Sequence, residues 1–136
     1  VLNHPDTRRL IDFQRPVGLI GAAVLHFIAD ERDPWGVVAR YVAAVPSGSC
    51  LALCALTSDR QADGVMDRIL KTLMFVRFHL RTEADMARFF DGLEIVPPFP
   101  GAAPAVAHAG LWGAEDPEAA NDDGSHWFYA AVARKP

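Results

Sequence analysis

His26 is the residue in this chain best placed to do chemistry. It follows Val17-Gly18-Leu19-Ile20-Gly21-Ala22-Ala23-Val24-Leu25, a run without a charge, and precedes Phe27 and an acidic loop from Asp30 to Asp33. An imidazole near neutral pH can accept a proton from an attacking hydroxyl or amine, which makes His26 a candidate catalytic and substrate-contacting group. The same ring can instead be held by loop backbone, and both readings stand at this stage. Phe27 either contacts a substrate or packs. Asp30, Glu31 and Asp33 read as a solvated loop and a helix cap. In Gly21-Ala22-Ala23-Val24 the small side chains would let backbone approach a ligand closely, or would let a helix pack on a strand.

The other reactive residues form no motif. His4, His79, His108 and His126 are scattered, so no metal site is expected. Cys50 and Cys54 lie four apart; on a strand their Cα atoms would be about 13 Å apart, beyond the reach of a disulfide. They are expected as buried, reduced thiols. The hydrolase and zinc patterns Gly-x-Ser-x-Gly, Cys-x-x-Cys and His-Glu-x-x-His are all missing from the sequence.

The elements that must hold His26 can be read from patterning. The run Val17 to Leu25 suits a strand buried on both faces of a parallel sheet, and polar residues just past such a strand's carboxyl end are where open α/β sheets hold ligands. Asn3 to Ile11 suggests one helical turn. Asp33-Pro34 starts a helix with an acidic cap and proline at its first position, followed by Trp35, Val38, Tyr41, Val42 and Val45 at helical spacing. Cys50 to Leu56 is a second continuous apolar strand, so the pair forms a right-handed crossover. A helix is expected over about Gln61 to Val76, with Val65, Met66, Ile69, Leu70, Leu73 and Met74 as its core stripe.

Thr82 and Asp85 form a capping-box pattern, and the helix they open stops at Asp91-Gly92. Leu93 to Val96 and His126 to Arg134 read as two further strands, the last aromatic and β-rich. Between them, Pro97 to Ser125 shows little periodicity and is expected to be a functional excursion or partly disordered. Its acids, Glu115, Asp116, Glu118, Asp122 and Asp123, read as solvated surface.

Composition sets the remaining bounds. The chain has 136 residues, 51% of them hydrophobic, and a net charge of -4, which suits a single soluble globular domain. With no basic cluster, nucleic acid is not an expected partner. The longest apolar run falls short of the roughly 20 residues of a membrane span, and residue 1 opens no charged-then-apolar leader, so a cytoplasmic protein without membrane contact is expected.

Val24-Leu25-His26-Phe27 resembles the ending of the fourth strand in S-adenosylmethionine-dependent methyltransferases of the Rossmann-like class. Three further segments resemble that family in the right order. Val42 to Ser49 is similar to the helix end and turn before its fifth strand. Arg81-Thr82-Glu83-Ala84-Asp85-Met86 is similar to the opening of the helix before its sixth strand, and Phe90 to Val96 to that helix's exit. The resemblance implies a mostly parallel four-stranded sheet in family order four, five, seven, six, with an antiparallel C-terminal strand. It implies S-adenosylmethionine as cofactor, with Gly21, Ala22, Ala23 and Val24 against its methionine part. It also implies a small-molecule methyl acceptor contacted by His26 and Phe27.

The family's glycine-rich cofactor turn does not occur here: none of the ten glycines forms Gly-x-Gly-x-x-Gly. The expectation is therefore a single partial domain, residues 1–136, carrying strands four to seven of a methyltransferase whose N-terminal cofactor-binding half is absent. Such a fragment would self-associate through strand 17–25 or pair with the missing half, and would be inactive alone. A different class is also open, a non-catalytic α/β binding or assembly domain derived from the same fold.

Overall fold

Cys50–Leu56 is the strand around which the sheet is built in the computed structural model of this chain, which describes residues 1–59, 72 and 78–136. In chain order the elements are α1 (Pro5–Leu10), β1 (Gly18–Ala22), α2 (Pro34–Ala43), β2 (Cys50–Leu56), α3 (Glu83–Ala87), β3 (Glu94–Ile95), β4 (Ala107–His108), α4 (Pro117–Ala120) and β5 (Phe128–Arg134). The sheet order is β1-β2-β5-β3, and β4 pairs with β5 as well. β1 and β2 run parallel, while β5 is antiparallel to β2, β3 and β4. Four strands thus share one direction and the C-terminal strand opposes them; β1, β2, β5 and β3 stand in the order expected for family strands four, five, seven and six, and β4 makes a fifth strand where four were expected. The fold is a mixed α/β sheet with helices packed against it.

Alternation along β2 and β5 makes the core. Leu51, Leu53 and Ala55 are register partners of Ala133, Ala131 and Tyr129, and all six are buried. Val38 of α2, Met86 of α3 and Phe89 and Phe90 just beyond it join the same cluster. The helices are set by their ends. Asp33 accepts the Gly36 N–H at 2.9 Å to start α2, and Lys135 Nζ donates to the Val42 and Val45 carbonyls at its far end. Thr82 and Asp85 close the capping box of α3, each side chain accepting from the other residue's backbone N–H.

Several expectations are corrected. The first strand is Gly18–Ala22, shorter than Val17 to Leu25, because Ala23 turns into the left-handed region (φ 54°) and Leu25–Phe27 winds into a 3-10 turn. β1 is not buried on both faces: it is the edge strand of the described sheet, and Ile20 is 80% exposed. Cys50 is exposed, not a buried thiol, since it sits at the start of β2. The final strand starts at Phe128, with His126 and Trp127 in a preceding 3-10 turn, and the third is reduced to Glu94–Ile95. Residues 97–125 are not structureless, for they supply β4, α4 and a 3-10 turn at Ala109–Leu111. The helix expected over Gln61 to Val76 lies, apart from residue 72, outside the described residues, as does all of its stripe.

Candidate active site

Just past its carboxyl end, β1 is tied to β2 by a hydrogen bond that the β2 carbonyl accepts, and the turn that follows is held by one buried cation. Ala22 is paired with Cys54, and the next N–H, that of Ala23, still reaches the Cys54 carbonyl at 2.9 Å. Ala23 then takes a positive φ, a conformation that costs an alanine roughly 1 kcal/mol or more and that places its small side chain at the surface. The turn Leu25–Phe27 follows, closed by Ile28 N–H donating to the Leu25 carbonyl at 3.1 Å.

The four small-residue positions do not share one face. Gly21 and Val24 line an apolar cavity of about 400 Å³ between β1, β2 and α2, whose other walls include Ile28, Val37, Tyr41 and Leu53. Ala22 and Ala23 are exposed instead. The glycine at 21 has a packing reason, since a Cβ there would lie 2.8 Å from the Leu53 Cδ2. Ala22 and Ala23 stand at the surface, and the cavity walls are mostly apolar, with Tyr41 among them.

His26 is buried to 3% exposure, within a trio of rings. Its centroid is 4.6 Å from that of Phe27 and 5.2 Å from that of Phe78. Phe27 is half-exposed and belongs to the same trio, 5.1 Å from Phe78. The His26 carbonyl accepts the His79 N–H at 2.8 Å, and among the described residues its buried Nδ1 has no hydrogen-bond partner. Burial, and then the Arg81 guanidinium, hold the imidazole below its ordinary pKa. The ring is thus neutral near pH 7 and has a nitrogen able to accept a proton. Among the described residues, His26 lines none of the three cavities beside α2.

Arg81 is the buried feature of this turn that patterning does not reveal. It entered only as one letter of a helix-opening motif, yet it is 2% exposed and donates to the Leu25, Ile28 and His79 carbonyls and to Asp30 Oδ1. The one available signal was an arginine in Phe78-His79-Leu80-Arg81, directly before a capping box. Histidines that looked scattered also meet. His108 of β4 and His126 lie with ring centroids 4.3 Å apart, His108 stacks on Tyr129 at 4.8 Å, and His126 Nε2 is 2.6 Å from Asn121 Oδ1. Among the described residues no group of three or more metal-ligating side chains is present. No helix among them is long and apolar enough to cross a membrane.

Comparison with known proteins converges on one family. The profile described as S-adenosyl methyltransferase matches residues 1–136. A duf574 family protein from Streptomyces avermitilis MA-4680 is 33% identical with a TM-score of 0.83, over 99% of this chain and 50% of that one. A candidate methyltransferase from Thermobifida fusca YX is 30% identical with a TM-score of 0.78, over 98% of this chain and 48% of that one. The chain spans about half the length of each. Human N-acetylserotonin methyltransferase, solved in complex with SAM, shares the fold at 17% identity and a TM-score of 0.50, over 90% of this chain and 31% of that one. No protein of curated function matches.

Proposed function

The chain belongs to the S-adenosyl methyltransferase family, and from that premise we propose that it serves S-adenosylmethionine-dependent methyl transfer to a small-molecule acceptor. In this reading the chain is a part of the enzyme, inactive alone, and the rest of the fold supplies the nucleotide-binding turn. The half-length match to both relatives and the open edge of β1 support it.

The observation that carries the reading is the end of β1, where exposed small residues at a left-handed turn lead into a neutral, buried histidine with one nitrogen unpartnered among the described residues. The backbone of Gly21, Ala22, Ala23 and Val24 would hold the methionine part of the cofactor, which supplies an electrophilic methyl group when bound. His26 would take the acceptor's proton as its oxygen, nitrogen or carbon attacks, and Phe27 would face the acceptor. Positioning carries the remainder of such a displacement.

The depth of His26 favours a second reading, a non-catalytic α/β binding or assembly domain of the same fold. The complete enzyme carrying His26→Ala separates the two, with labelled S-adenosylmethionine and a panel of phenols and amines as acceptors. Turnover should fall roughly 10²–10⁴-fold while cofactor affinity by calorimetry stays unchanged. Unchanged turnover would remove His26 from the chemistry. Failure of the complete protein to bind the cofactor at all would favour the second reading.

A further inference from the structure

We propose that Arg81 is a positioning residue, which fixes the turn after β1 and so presents Ala22–Val24 and His26 at the carboxyl edge of the sheet. Its bearing on catalysis rests on the proposed methyl-transfer reading of that edge; its hold on the turn does not. Nη1 donates to the Leu25 carbonyl at 2.8 Å and to that of His79 at 3.2 Å. Nη2 donates at 2.7 Å both to the Ile28 carbonyl and to Asp30 Oδ1. A single guanidinium therefore ties both ends of the 3-10 turn that carries His26 to the segment that accompanies β2.

The cation is itself held from several sides. Its carbon lies 5.4 Å from the Trp35 ring centroid and 5.8 Å from that of Phe89, and these two rings stack on each other at 5.6 Å. Trp35 Nε1 donates to the Asp85 carbonyl at 3.0 Å, which anchors the start of α2 to α3. The Arg81 backbone bridges to Thr57, and its carbonyl accepts the Ser58 N–H at 3.1 Å. A planar fork with fixed donor directions suits acceptors spread over four residues, and an ammonium group cannot reproduce that spread.

The test is amide hydrogen exchange with a histidine-ring titration by NMR, on the complete enzyme carrying Arg81→Lys or Arg81→Gln. Both variants should speed exchange at Phe27, Ile28 and His79 roughly tenfold or more, with β2 and β5 still protected. The His26 ring should titrate at higher pH in Arg81→Gln, which removes the neighbouring charge, and near its original pH in Arg81→Lys. Asp30, the ion-pair partner of Arg81, stays in both. Should neither variant fold, Asp30→Asn carries the same test, since Asp30 is 61% exposed at its side chain. It should speed exchange at Ile28 and Asp33. Exchange at the turn unchanged in the variants that fold would overturn the proposal. Turnover is read in parallel: faster exchange with lost turnover supports both the positioning and the methyl-transfer reading. Faster exchange in a protein that transfers no methyl group leaves the positioning standing and sinks the methyl-transfer reading.

Discussion

Gly21 and Leu53 are register partners across the β1–β2 pair, and the leucine occupies the space in which a side chain at 21 would begin. A Cβ built on Gly21 would stand 2.8 Å from Leu53 Cδ2. The Gly21 position thus serves packing first, whatever its backbone contacts.

Gly21→Ala should destabilise the fold by about 1–3 kcal/mol, the range for overpacking, less the small gain from replacing a strand glycine. In a Leu53→Ala background the clash is gone, so the same substitution should cost nothing or stabilise. Urea titration of the two single variants and the double variant measures the coupling. An equal cost in both backgrounds would mean that the glycine is needed for another reason, close approach by a ligand among them.

His26 makes stability depend on pH. Its folded-state pKa lies below the ordinary imidazole value because of burial and Arg81. The unfolded chain therefore binds the proton more tightly, and stability is lost as the pH falls below about 6.5. Between pH 7 and pH 5 the urea midpoint should drop, and the drop should be smaller in His26→Phe. A midpoint equally steep in pH for both proteins would place the titration elsewhere.

Most of the fold was legible because it rests on local signals. Asp33-Pro34 caps α2 where an acid followed by proline should, Thr82 and Asp85 cap α3, and Cys50 to Leu56 is the seven-residue strand its apolar run suggests. The Gly18–Ala22 strand was overread, since Val24 and Leu25 have the apolarity of a strand and only the backbone reversal at Ala23 ends it. Ala23 is not a residue type that announces a positive φ. The site was half legible for a similar reason. His26 is conspicuous after an apolar run, but Arg81 reaches Leu25 across 56 positions of sequence. His108 and His126 meet only because β4 pairs with β5, and a two-residue strand leaves no periodicity to read.

The open edge of β1 should govern association of this chain. Its backbone groups on the side away from β2 have no strand partner among the described residues, and its exposed neighbours are apolar: Ile20 at 80%, Val24 at 49% and Phe27 at 43%. Such an edge invites pairing with another strand, from a second copy or, on the proposed reading, from the rest of a longer enzyme. Light scattering of the 136-residue chain should show self-association, and Ile20→Lys should reduce it by placing a charge on the edge. The same chain should bind S-adenosylmethionine poorly in a calorimetric titration, because the sequence contains no glycine-rich turn to hold the nucleotide. On the proposed reading that the chain is part of a longer enzyme, adding an N-terminal half should suppress self-association and raise cofactor affinity together, since one strand pairing answers both. A clean monomer that binds the cofactor at micromolar concentration would show that β1 is not the strand at which the fold is completed.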